Sequence, residues 1–109
     1  GLIFSFAFAA GDVSKGKTLF SDPKFAGGTK ACSSCHPDGK GLENVADKLA
    51  KKEDLVVPGK KFKIIEEAVN FCIENANKGK AIDPKSDQMK DIVAYIKSLK
   101  GKMKQAPGY

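Results

Sequence analysis

The sequence predicts a small all-α domain of about four helices, and three observations predict it. The chain has 109 residues, enough for one modest core and no second domain. Apolar side chains recur at helical spacing in four separate segments. No segment shows a convincing strand alternation. With 41% hydrophobic and 29% charged residues, the composition is that of a folded soluble domain, neither disordered nor membrane-spanning.

The first helix is expected over 12–20. Asp12 or Ser14 is its cap, and Gly16 and Phe20 lie four apart on one face. Pro23 and the Gly27-Gly28 pair then break the pattern. Leu42, Val45 and Leu49 predict a short second helix over 42–51, and Pro58-Gly59 ends the link that follows. A third helix is expected over 63–77, with Ile65, Val69, Cys72 and Ala76 on one stripe.

The fourth helix has the clearest signals. Ser86 is its N-cap, Asp87 stands in the first turn, and Met89, Ile92, Val93, Ile96 and Leu99 form the apolar stripe. Gly101 stops it, with Lys97 and Lys100 at the negative end of the helix dipole. The tail over 102–109 has no pattern, and no internal repeat is visible. The domain is therefore expected over 11–101.

Residues 1–10, GLIFSFAFAA, carry no charge and hold three of the seven Phe. Such a stretch is too short to span a bilayer. It reads either as a signal-peptide remnant, with Ala7-Phe8-Ala9 as the cleavage site, or as an apolar arm that docks on a second chain. Both readings favour an exported protein, in the periplasm or an equivalent compartment.

The 19 cations are all Lys and face 13 carboxylates, for a formal charge of +6. Base readout leans on the guanidinium of Arg, and ordered single-strand binding leans on stacked aromatics. With no Arg and no Trp, sequence-specific nucleic-acid binding is disfavoured. The Lys surface reads as solvation plus steering towards an acidic redox partner.

Three Cys is an odd number, so disulfides cannot use them all. Cys32-Ser33-Ser34-Cys35-His36 is C-x-x-C-H. Two thiols at that spacing can each form a thioether to one haem vinyl group. The adjacent His, the only one in the chain, is thereby held at the iron as proximal ligand. A zinc ribbon needs a second ligand pair, and only Cys72 remains. A thioredoxin-like pair wants a βαβ pattern, which is absent. One covalent haem c on Cys32, Cys35 and His36 is the expected cofactor.

With these residues in hand, the stretch 12–100 resembles a small monohaem c-type cytochrome of the class I fold. Gly16, Phe20 and the run Asp91-Ile92-Val93-Ala94-Tyr95-Ile96 match that family's crossing first and last helices. The resemblance implies a class I cytochrome c fold, with the helices around the haem. Ordinary members supply a Met to iron from the loop before the last helix, but residues 75–86 contain neither Met nor His. Met89 heads the apolar stripe of the last helix and Met103 lies in the tail. Cys72, on the buried stripe of the third helix, competes as either a small hydrophobe or an iron ligand.

A narrower resemblance bears on the choice. Two features are similar to the haem domains of thiosulfate dehydrogenase and the sulfur-oxidation cytochromes. One is the long insertion from Ser21 to Ala31. The other is the run Val69-Asn70-Phe71-Cys72, followed by Asn77-Lys78-Gly79-Lys80-Ala81 and Ser86-Asp87-Gln88-Met89-Lys90. They also resemble the small His/Cys monohaem heterodimer of anammox bacteria. The resemblance implies Cys72 as axial thiolate, with Met89 as the alternative distal ligand and Lys, Asn, water or an open site behind them.

Thiolate ligation implies a low-potential haem. The expected function is electron transfer between exported redox proteins. The alternative is a haem-based NO- or CO-binding module acting with a partner cytochrome, as a heterodimer or as a homodimer through the arm. An enzyme is not expected, because the distal stretch shows only Lys, Asn and Glu74.

Overall fold

The structure, a computed structural model, describes residues 11–57 and 59–100. The expected arm over 1–10, the stop at Gly101 and the tail over 102–109 lie outside the described residues. Helix α1 spans Val13–Phe20. Asp12 caps it, its Oδ1 accepting from the Lys15 N–H at 3.0 Å. Ser14 lies inside the helix and is not the cap.

Three short 3₁₀ turns follow, at Phe25–Gly27, Cys32–Ser34 and Pro37–Gly39. Helix α2 spans Val45–Ala50, shorter than the expected 42–51. Leu42 instead belongs to the turn before it, donating to the Gly39 carbonyl and accepting from the Val45 N–H.

The link after α2 contains a feature the pattern did not predict. Strands β1 (Leu55–Val57) and β2 (Lys60–Phe62) pair antiparallel, with Leu55 opposite Phe62 and Val57 opposite Lys60. Gly59, at φ +83°, takes up the left-handed backbone that the reversal needs. The hairpin docks on the next helix through Phe62 and Phe71, whose ring centroids lie 5.4 Å apart. Lys60 Nζ stands over both rings, 5.7 Å and 5.6 Å from their centroids.

Helix α3 spans Ile65–Asn75. The expected stripe through Ala76 stops short, since Ala76 is exposed and Ile73 is the residue wholly buried. Helix α4 spans Asp87–Ser98 and is capped as expected: Ser86 Oγ accepts from the Met89 N–H at 3.2 Å.

The two terminal helices cross at contact distance. At Gly16 a β-carbon would lie 1.9 Å from the Asp91 carbonyl oxygen, so only glycine lets the backbones meet. Below the crossing the Phe20 and Tyr95 rings pack at 5.1 Å and 57°. Phe20, Ile73, Met89, Ile92 and Leu99 are the most deeply buried side chains and belong to one hydrophobic core, of which Phe20 and Ile92 also reach the site. Among the described residues no helix is long and apolar enough to cross a membrane.

Candidate functional site

The motif Cys32 to His36 is wound by its own backbone. The Ala31 carbonyl accepts from the Ser34 N–H at 3.0 Å, and the Cys32 carbonyl accepts from the N–H groups of Cys35 and His36 at 3.2 and 3.0 Å. One turn of chain thus gathers both thiols and the imidazole.

The imidazole is then oriented. His36 Nδ1 lies 2.8 Å from the Lys40 carbonyl oxygen. A carbonyl can only accept, so Nδ1 carries the proton and Nε2 keeps its lone pair for a metal. Two glycines let the 37–41 loop close this contact. Gly41, at φ +95°, would bring a β-carbon 3.3 Å from Nδ1, and Gly39, at φ +77°, seats the loop against Leu99 of α4.

His36 opens into a cleft of about 200 Å³ that is open to solvent on one side. Leu42 and Val45 line it near α2, Leu55 and Val57 from β1, and Ile65 and Val69 from α3. Phe20, Ile92 and Ile96 form the wall on the side of the helix crossing. Cys32 and Cys72 face the same space. Met89 does not line it; its side chain is 0% exposed in the core.

Burial pushes both the Cys32 and Cys72 thiols above the ordinary cysteine range. The Cys32 and Cys35 sulfurs, when ionised, push Cys72 the same way. A thiolate in so apolar a cleft requires a compensating cation. Among the described residues no three His, Cys, Asp or Glu side chains converge as a metal cage. Cys35 is exposed and does not itself line the cleft, while Cys32, three residues before it, does. An apolar slot lined by Cys32, Cys72 and a lone imidazole suits a flat macrocycle bound through its rim and its metal, and the residues therefore fit haem.

Two residues had no signal of their own in the sequence. Asn77 is 3% exposed, and its Nδ2 donates to Cys32 Sγ at 3.3 Å. Its carbonyl accepts from the Thr29 N–H at 2.8 Å, while Lys80 N–H donates to the Ala26 carbonyl at 2.9 Å. The long insertion and the loop after α3 are stitched together there. Gly28, where a β-carbon would sit 2.7 Å from the Asn77 carbonyl oxygen, permits the approach.

Asn70 pins the far part of the same loop. Its Nδ2 donates to the Ile82 carbonyl and its Oδ1 accepts from the Ile82 N–H, each at 2.9 Å. Both Asn residues fall in or beside runs that carried the resemblance, and that was the only hint of them.

Neither the comparison with curated proteins nor that with solved structures gave a match. The family model of the SoxA/TsdA cytochrome c domain matches residues 15–104, from the first turn of α1 to beyond α4. That span covers the thiol pair, the imidazole and the whole cleft, so the chain belongs to the SoxA/TsdA cytochrome c domain family and is a haem-binding electron-transfer cytochrome carrying covalent haem c.

Proposed function

We propose that this chain is a single-haem electron carrier in an exported compartment, with His36 and Cys72 as the two axial ligands and a low potential. The observation that carries the reading is that Cys72 lines the same cleft as His36 while Met89 does not. The loop over 76–86 offers no substitute: it contains no Met or His and is tied back by Asn70. When bound, haem supplies a one-electron iron couple, and a thiolate ligand favours its ferric state.

The chain's own part is to hold, cover and present the group. Among the described residues, Asn44 and Lys48 are the only polar side chains in the cleft wall apart from the sulfurs and the imidazole. The excess of Lys suits an acidic redox partner met by electrostatic steering. The apolar arm suits pairing with a second small cytochrome or a second copy of this chain.

Spectroelectrochemistry of Cys72→Ala tests the ligand. The variant is expected to shift the Soret band and raise the potential. An unchanged spectrum and potential would refute thiolate ligation. CO uptake by the reduced wild-type protein would favour the second reading, a haem-based NO- or CO-binding module.

A further inference from the structure

We propose that Lys48, with Asn44 beside it, is the anchor for a haem propionate. The inference rests on the haem-binding identity of the chain and not on the choice of sixth ligand.

Haem brings two carboxylates with it, and a carboxylate taken against an apolar wall without a partner is costly. The walls of the cleft are apolar along α3, α4 and β1. Among the described residues, Lys48 is the one Lys, Asp or Glu that lines the cleft, and Asn44 is the one side-chain amide. They stand four residues apart, at the start and on the first turns of α2, which puts them on one side of it.

Their place at the rim is equally specific. Outside the cleft lies a small polar hollow walled by Asn44, Asp47, Lys48, Lys51 and Glu53. Asn44 and Lys48 are the two residues common to the hollow and the cleft. A group with an apolar body and a charged end, seated in the cleft, would meet its change of environment there.

The lysine is also free to serve. Among the described residues no carboxylate lies within salt-bridge reach of Lys48, whereas its neighbour Asp47 is taken by Lys100 at 3.1 Å. Lys48 is half-buried and lines the cleft beside Val45; a lysine can lay its stem on an apolar wall and keep its ammonium at the rim.

Potentiometry of the holoprotein tests the assignment, using Lys48→Gln, Lys48→Arg and, as control, Lys51→Gln, which touches the hollow but not the cleft. Each preparation is first shown by pyridine haemochrome to carry one covalent haem; failure of the wild type at that step would count against the haem identity instead. Loss of the cation leaves a carboxylate charge acting on the iron, which favours the ferric state.

Lys48→Gln is expected to raise the ferric to ferrous ratio at fixed poise at least threefold, a fall of about 28 mV for one electron. Lys48→Arg should stay near wild type, and Lys51→Gln should move less than half as far as Lys48→Gln. Infrared difference spectra with haem ¹³C-labelled at the propionate carboxyls give the second reading. The labelled band should move in Lys48→Gln and not in Lys51→Gln. Equal potential shifts in the two Gln variants, or an unmoved labelled band, would overturn the proposal. So would a change of axial-ligand spectrum in Lys48→Gln, which would put the amine on the iron.

Discussion

Gly16 rests directly on the carbonyl of Asp91, so close that a β-carbon at 16 would lie 1.9 Å from the oxygen and 2.8 Å from Tyr95 Cβ. Asp91 answers with its side chain, Oδ1 accepting from the Asp12 N–H at 2.7 Å. The contact sets the spacing of α1 and α4, and with it the position of Phe20, Ile92 and Ile96 in the cleft wall. A glycine that does not itself line the cleft thus bears on where one of its walls stands.

Gly16→Ala is therefore expected to be among the most damaging single changes. The atoms it meets are backbone and cannot swing aside, so the cost should reach or exceed the roughly 3 kcal/mol upper end of ordinary overpacking. Urea unfolding of the holoprotein measures it, against Lys17→Ala on the exposed face, expected within about 0.5 kcal/mol of wild type. Equal stability of the two variants would show that the helices separate without cost.

The helices were legible because each carries a one-sided apolar stripe, and the caps at Asp12 and Ser86 because a side-chain oxygen stands just before the first turn. Cys32, Cys35 and His36 stand out in the sequence because the C-x-x-C-H spacing is itself the signal. The hairpin does not, because its strands are three residues each and Val56 points outward at 63% exposure, too short a run to alternate. Its one sequence signal, Pro58-Gly59, marks the end of a link equally well. Ala76 continues the apolar spacing but falls just past Asn75, where the helix ends, so it is exposed. Asn77 meets Cys32 across 45 residues, and Lys48 is one Lys among many, so only the folded chain singles them out.

Asn70 acts as a two-point clamp on the loop that follows Cys72. Asn70→Leu keeps the volume but leaves both backbone groups of Ile82 without their partner, for a loss of about 2 kcal/mol. Hydrogen exchange should show the Ile82 amide losing protection first. Undiminished protection there would mean that the loop is held by other contacts.

Tyr95 makes stability depend on alkaline pH. Burial holds its phenol above the ordinary range, and the charge of Asp38 pushes the same way. The folded state keeps the proton that the unfolded chain releases from about pH 10 upward. The neutral phenol's contribution is thus complete below that pH and is lost as pH rises through the folded value. Denaturation midpoints of wild type and Tyr95→Phe should keep a constant difference from about pH 7 to 9 and then move against the wild type. Lysine titration is common to both proteins and cancels; parallel curves to the end of the range would remove Tyr95 as the source.

Met89 separates packing from ligation. Its side chain is fully buried and its N–H is capped by Ser86, so the residue already has a structural role at the head of α4. Met89→Leu preserves volume and should cost under about 1.5 kcal/mol. Met89→Ala leaves a cavity and should cost about 2 to 5 kcal/mol. If sulfur reaches the iron from Cys72, both variants keep the wild-type absorption spectrum and potential while their thermal midpoints fall in that order. Should Met89 be the ligand instead, Leu and Ala would alter the spectrum alike whatever their difference in stability, because neither side chain can bind iron. The two roles therefore give opposite patterns: stability graded by volume with a fixed spectrum, or a spectrum lost at the first substitution.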